Sequence, residues 1–144
     1  FLSNSFVKAS AQNQLNFTDM LGSSKIKWRT DLDKALQEAK SQNKNVVVDV
    51  WATWCAACLE MEGTNWQNTE VISLMNDKYV PVKLDFTNAV EETQNLVNNW
   101  GIVGLPAIVF LSSNKDSKQK PLSLSQGTVT NKKLISNLNQ YTNP

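Results

Sequence analysis

The sequence predicts an α/β sandwich, in which helices cover both faces of a mixed but mostly parallel β-sheet. Strand-like and helix-like segments alternate from about residue 25 onward, and such alternation places consecutive strands parallel in one sheet. The β-branched run NVVVDVW at 45–51 has the composition of a buried central strand. A polar turn at 112–121 separates two short apolar runs, which indicates a late hairpin and an antiparallel part of the sheet.

The first elements follow from composition and apolar periodicity. Residues 1–24 are rich in Ser, Asn, Gln and Ala, so we expect a linker or arm, with a short strand near 15–18. The domain proper is expected at 25–144. It opens with an edge strand at 25–28, and a helix from Asp31 to Gln42 follows with Thr30 or Asp31 as its N-cap.

The remaining elements are predicted in the same way. After the central strand we expect a helix that runs from the first cysteine past Glu62 and bends near Gly63. A second helix at 69–77, a strand at 79–86 and a helix at 90–100 that ends at Gly101 follow. The chain then forms strands at 107–111 and 122–126 and a closing helix at 131–141.

Length and composition restrict the function classes. The chain has 144 residues, 41% of them hydrophobic and 19% charged, which fits one globular domain with its own core. A net charge of +1 with interspersed signs gives no reason to expect a nucleic-acid or anionic-membrane partner. The lack of histidine excludes Ser-His and Cys-His catalysis and imidazole zinc sites. Because the chain begins with Phe1, we expect it to derive from a longer precursor.

Cys55 and Cys58 are the two cysteines of the sequence. A zinc half-site would need two more ligands, and no other Cys or His supplies them. A purely structural disulfide across three residues closes a very small loop, which constrains the unfolded chain little. A redox dithiol is favoured, because a helix N-terminus after a buried strand stabilises a thiolate. We expect Cys55 to be the exposed nucleophile and Cys58 the buried resolving thiol.

Two carboxylates strengthen the redox interpretation. Asp49 interrupts an apolar strand, and a buried carboxylate is costly unless it is paired or neutralised. Asp49 either caps a turn or pairs with a lysine, or it accepts the proton of Cys58 with a pKa raised by desolvation. Glu62 is four residues after Cys58 on the same helical face, so it either points beneath the site or is an ordinary solvated helix residue.

Pro106 and the tryptophans complete the candidate residues. Pro106 precedes a predicted strand, where a proline is also typical of a sheet edge. Trp54 stands directly before Cys55, and we expect it on the surface that partners meet. The other tryptophans, Trp28, Trp66 and Trp100, are expected in the core or at its margin, and Trp51 fits a core position as well.

The motif WCAAC at 54–58 after an Asp-bearing strand, with the later Gly104-Leu105-Pro106, resembles the thioredoxin superfamily. Within it the chain is similar to the C-terminal periplasmic domain of the DsbD family of thiol–disulfide interchange proteins. The similarity covers about residues 15–142. It includes LNFT at 15–18, LDKALQEAK at 32–40, Ala57 where a common thioredoxin has proline, Glu62 at the family's spacing and NWQNTEV at 65–71.

This resemblance implies a thioredoxin-like three-layer α/β/α sandwich and a reductase in an electron relay. Such a domain takes two electrons from the membrane-embedded domain of its own parent protein and passes them to the N-terminal periplasmic domain. By resemblance Cys55 and Cys58 are the redox pair, Asp49 and Glu62 modulate it, and Pro106 is cis. The surface for partners then comprises Trp54, Ala56, Ala57, Leu105 and Pro106.

The resemblance also implies a periplasmic location, as a domain of an inner-membrane protein, with no cofactor and no metal. A monomer is expected, since nothing in the sequence indicates self-association. Two positions depart from the family pattern, namely Ala107 in place of the usual Thr and Thr53 in place of a common acidic residue. The alternatives are a free-standing or tethered thioredoxin-like reductase for cytochrome maturation, and a non-catalytic adaptor with a structural disulfide.

Overall fold

The computed structural model describes residues 25–114, 116 and 118–144. The predicted arm at 1–24, with its short strand near 15–18, lies outside the described residues. The elements are α1 (Leu32–Gln42), β1 (Asn45–Trp51), α2 (Ala56–Gly63), a 3₁₀ turn (Asn65–Gln67), α3 (Thr69–Lys78), β2 (Tyr79–Asp85), α4 (Glu91–Asn99), β3 (Ala107–Leu111), β4 (Ser123–Gln126) and α5 (Asn131–Gln140). These bounds agree with the predicted ones within two residues at each helix and strand from residue 31 onward.

The described strands form one mixed sheet in the order β2-β1-β3-β4. β1 pairs with β2 in parallel, whereas β3 is antiparallel to both β1 and β4. The α/β sandwich is confirmed, but antiparallel pairing is more extensive than the alternation of elements predicts. β3 begins beside the end of β1, with Ala107 opposite Val50, because the connection through α4 brings the chain back to the end of the sheet where β2 stops.

The predicted edge strand at 25–28 is wrong. This segment joins the sheet only through an isolated bridge between Arg29 and Val82. The backbone of the segment turns to α3 instead: the N–H of Lys27 donates to Asn76 Oδ1 at 2.9 Å, and Asn76 Nδ2 donates to the carbonyl of Lys25 at 2.8 Å. Because Asn76 satisfies these groups, they do not form a ladder with β2.

The two faces of the sheet bury separate apolar clusters. Successive residues of a strand point to opposite faces, so Val46, Val48 and Val50 pack with α1 and α4 on one face. Val47 belongs to the cluster on the other face, together with Met61 of α2 and residues of α3 and α5. Asp49, two residues after Val47, therefore lies on the face that α2 covers.

Local signals explain where the helices begin and end. α1 begins after Asp31, whose side chain accepts a hydrogen bond from the N–H of Lys34, as expected of an N-cap. α2 ends at Gly63 and the 3₁₀ turn follows, so the helix stops at the position where a bend was predicted. Among the described residues, no helix combines the length and the apolar character of a membrane span.

Candidate redox site

Cys55 and Cys58 form a disulfide at the N-terminus of α2. The loop after β1 turns at Ala52, whose carbonyl accepts a hydrogen bond from the N–H of Cys55 at 3.1 Å. Cys55 is the N-cap of α2, and its Sγ accepts a hydrogen bond from the N–H of Cys58 at 3.2 Å. When the disulfide is reduced, the same N–H and the positive end of the helix dipole favour a thiolate at Cys55.

Both sulfurs are covered in this oxidised state. Cys55 is 6% exposed and Cys58 is 3% exposed, so the expectation of an exposed Cys55 does not hold for the disulfide. Four half-buried side chains pack against the cluster that contains the cysteines, namely Trp51, Ala57, Phe86 and Leu105. Phe86 and Leu105 come from loops far along the chain, which is why local spacing did not predict the cover.

The residues predicted to meet partners surround this covered disulfide. Trp54 is 64% exposed, and it lines a groove with Phe86 and Leu105. Ala56 is exposed, Ala57 and Leu105 are half-buried, and Pro106 is buried. The groove continues along Val97, Asn98, Ile102, Val103 and Gly104, and Val103 is 94% exposed.

The loop that carries Leu105 is held in place by β4. The Leu105–Pro106 peptide bond is cis, as the resemblance implied. Gln126 Oε1 accepts hydrogen bonds from the N–H groups of Val103, at 2.8 Å, and Gly104, at 3.3 Å. The N–H of Gly127 donates to the carbonyl of Pro106 at 2.8 Å. The sequence analysis missed Gln126, because a polar residue at the end of a short strand carries no distinguishing signal.

Asp49 is buried on the sheet face that α2 covers. It is 2% exposed, and Val47, two residues earlier on the same face of β1, packs in the cluster that contains Met61 of α2. Desolvation by burial raises the pKa of Asp49 from its ordinary value of 3.8 to about 7. The charge of Lys83 opposes this shift, and that of Glu62 adds to it.

The Trp66 indole also acts on Asp49. It favours the charged form and so lowers the Asp49 pKa, although the indole N–H does not reach hydrogen-bond geometry with any partner in the described part of the chain. The net result is a carboxyl group that gains and loses a proton near neutral pH, as the proton-acceptor interpretation requires.

Glu62 meets a lysine rather than the cysteines. Its Oε1 forms an ion pair with Nζ of Lys83, whose side chain is 17% exposed. Lys83 lies opposite Asp49 in the parallel β1–β2 ladder, so the two side chains share a face. Lys83 was missed by the sequence analysis, although a lysine inside the apolar strand YVPVKLD is a signal of the kind that singled out Asp49.

The described residues contain no group of three or more His, Cys, Asp or Glu side chains that could hold a metal ion.

A disulfide at a helix N-terminus, after the central strand and beside a cis-proline, defines a thiol–disulfide oxidoreductase with a thioredoxin fold. The family model described as thioredoxin-like matches residues 27–113. The chain belongs to this thioredoxin-like family.

Curated relatives narrow the relationship to one kind of protein. The thiol:disulfide interchange protein DsbD of Pseudoalteromonas atlantica is 31% identical over 103 residues, which cover 72% of this chain and 17% of that protein. DsbD of Escherichia coli strain K12 is 33% identical over 102 residues, which cover 71% of this chain and 16% of that protein. The chain thus spans less than a fifth of the length of these relatives.

Solved structures agree with the fold and with the relationship. The C-terminal domain of Neisseria meningitidis DsbD in its oxidised form aligns with a TM-score of 0.65 at 26% identity, covering 79% of this chain and 98% of that one. A thioredoxin from Thermus thermophilus aligns with a TM-score of 0.68 at 21% identity, covering 80% of this chain and 85% of that one. The second match supports the fold alone.

Proposed function

We propose that this domain is a reductase in an electron relay. It receives two electrons from a membrane-embedded domain of the same parent protein and passes them to a periplasmic partner domain through Cys55 and Cys58. The proposal rests on how large a share of each relative this chain matches. The match spans 98% of the Neisseria C-terminal domain but only 17% of a full-length DsbD relative, as expected of one domain of such a protein.

Electrons leave the domain by two exchange steps. The Cys55 thiolate attacks one sulfur of the partner's disulfide, which forms a mixed disulfide and releases the partner's other sulfur as a thiolate. Cys58 then loses its proton and attacks Sγ of Cys55. This step closes the Cys55–Cys58 disulfide, and the partner leaves with two thiols and two electrons. A donor dithiol restores the reduced domain by the same steps in reverse.

Asp49 is the proton acceptor for Cys58 in this scheme. The buried thiol must deprotonate before it attacks, and Asp49 occupies the sheet face beneath α2. A carboxyl group with a pKa of about 7 accepts and returns a proton at little cost near neutral pH. No cofactor is required, since electrons move only as sulfur–sulfur bonds form and break.

The partner docks on the surface formed by Trp54, Ala56, Ala57, Leu105 and Pro106. Trp54 provides the largest exposed apolar area of this set, and exposed aromatic side chains are typical anchors of interfaces. Leu105 and Phe86 pack against the cluster of Ala52 and the two cysteines, and Cys55 is only 6% exposed, so we expect the partner to displace some of this cover to reach the sulfur. In the relay this domain is one of the periplasmic domains of an inner-membrane protein.

Trapping variants test the relay. Cys58→Ser leaves the nucleophile without a resolving thiol, so it should accumulate a mixed disulfide with the N-terminal periplasmic domain of the parent protein, supplied oxidised. Cys55→Ser is the matched control and should trap nothing and abolish turnover. Mass spectrometry of non-reduced bands identifies the adduct. If Cys58→Ser forms no adduct, or if Cys55→Ser retains activity, the relay is wrong and a structural disulfide in an adaptor becomes the better explanation.

A further inference from the structure

Lys83 occupies a site that the relay does not explain. Its ammonium pairs with Glu62 and lies over two indole rings, 4.9 Å from the ring centroid of Trp51 and 5.3 Å from that of Trp28. We call this group the lysine cage; its members are Lys83, Glu62, Trp28 and Trp51. Ammonium groups at such distances are attracted to the electron-rich face of an indole.

The lysine cage joins segments that are distant in the sequence. Trp51 ends β1, Glu62 lies on α2, and Lys83 lies on β2. Trp28 comes from the segment before α1, where it packs edge-on against Trp66 with ring centroids 5.1 Å apart. Three independent parts of the fold therefore fix one ammonium, which would be costly to bury without partners.

Lys83 lies close enough to Asp49 in the sheet that Asp49, rather than Glu62, could pair with its ammonium. The two residues are register partners, so Asp49 is a natural alternative partner for the ammonium. The cage directs Lys83 to Glu62 instead, and within the described part of the chain Asp49 forms no ion pair. One acid has a fixed counter-ion, while the more deeply buried acid has none.

We propose that the lysine cage is a positioning device, which commits Glu62 to Lys83 as a counter-ion and leaves Asp49 as the single proton carrier of the redox site. This inference rests on the proposed function for the use of that proton, and it assigns the two acids different tasks. If the ammonium moved to Asp49, the resulting pair would favour the charged carboxylate and oppose proton uptake from Cys58.

The surroundings of Asp49 leave few other charges to consider. The charged groups that act on it are Lys83 of β2 and Glu62 of α2. From β3 its register partner is Ile108, and the 3₁₀ turn presents Trp66. Neither Ile108 nor Trp66 titrates. Burial sets the high pKa of Asp49, and the charge of Lys83 is the largest effect that opposes it.

The test follows the Asp49 carboxyl by carbon-detected NMR titration in the oxidised domain, where the cysteines do not titrate. Trp28→Leu removes one wall of the cage and frees the ammonium toward Asp49, so the Asp49 midpoint should fall by about one pH unit. Glu62→Gln should also lower it, and the double variant should add little to Glu62→Gln alone. Lys83→Met removes the cation whose charge lowers the Asp49 pKa, so it should raise the midpoint.

Matched controls separate the cage from general disturbance of the fold. Trp28→Phe keeps an aromatic face and should move the midpoint less than Trp28→Leu. Lys78→Met removes an exposed lysine at the end of α3 and should leave the midpoint unchanged. An unchanged midpoint in Trp28→Leu would overturn the proposal. If Trp28→Leu does not fold, Glu62→Gln decides it: freeing the ammonium requires that Glu62→Gln lower the midpoint more in the wild-type background than in Lys83→Met, and equal shifts would overturn the proposal.

The titration needs no partner, so its outcome is independent of the relay. If the midpoints shift as expected but Cys58→Ser traps no partner, the cage stands and the relay is wrong. In the reduced domain, the pH midpoint of the partner-release rate should shift in the same direction as the Asp49 titration in each variant. A rate profile that does not follow the titration would show that Asp49 is not the proton carrier.

Discussion

Asp49→Asn should change how the stability of the oxidised domain depends on pH. The pKa of Asp49 is about 7 in the folded protein against an ordinary value of 3.8. Below pH 3.8 both folded and unfolded chains carry the proton, so the residue makes no pH-dependent contribution. Between pH 3.8 and about 7 only the folded chain binds it, so the free energy of unfolding falls as pH rises.

The size of this effect follows from the shift. A difference of about three pKa units at about 1.4 kcal/mol each amounts to about 4 kcal/mol, lost progressively up to about pH 7 and constant above it. Asn does not titrate, so the variant should lack this fall. Relative to wild type, Asp49→Asn should therefore gain up to about 4 kcal/mol between pH 4 and pH 8.

Urea unfolding of the oxidised domain at pH 4, 5, 6, 7 and 8 measures the difference directly. Glu60→Gln, a change at an exposed position on α2, is the control, and its curve should run parallel to that of the wild type. The reasoning is refuted if the wild-type and Asp49→Asn curves are parallel across this range. In that case the buried carboxyl would have the same proton affinity in the folded and unfolded chains.

Two further predictions concern the loop over the disulfide and the core. Gln126→Ala removes the acceptor of two backbone N–H groups, each bond contributing about 1 kcal/mol, so a small phosphine should reduce the disulfide up to about thirtyfold faster. An unchanged rate would mean that Gln126 does not hold the loop. Phe110 is fully buried and packs against Tyr79 and Tyr141, so Phe110→Ala should lower the free energy of unfolding by about 3–5 kcal/mol. A loss below about 1 kcal/mol by urea unfolding would contradict this packing.

Local patterns accounted for most of the elements and for the redox pair. The spacing of apolar residues predicted α1 and β1, because burial of one face imposes a period on the chain. A carboxylate in an apolar strand likewise marked Asp49, since its burial demands a compensating reason. The cysteines could be assigned to a helix N-terminus, because a strand and a helical segment adjoin them in the sequence.

The direction of β3 and the partner of Glu62 required the tertiary structure. The period of apolar residues indicates which residues are buried. It does not indicate at which end of the sheet a connection enters the next strand, so the sequence did not predict that β3 runs antiparallel to β1. The failure of the edge strand at 25–28 has a similar origin, since Asn76 is distant in sequence and competes for the same backbone groups.

The amino-acid sequence by itself determined the chemistry of this protein, because two thiols at the end of a buried strand, with a carboxyl group in that strand, leave few other uses. Only the tertiary structure decided which side chains surround the redox pair and the carboxyl groups. Leu105 packs against the cluster that contains both cysteines, Gln126 accepts hydrogen bonds from the loop before Leu105, and Lys83 pairs with Glu62 rather than with Asp49. These contacts join segments far apart in the chain, and their strength depends on distances that arise only when the core is packed.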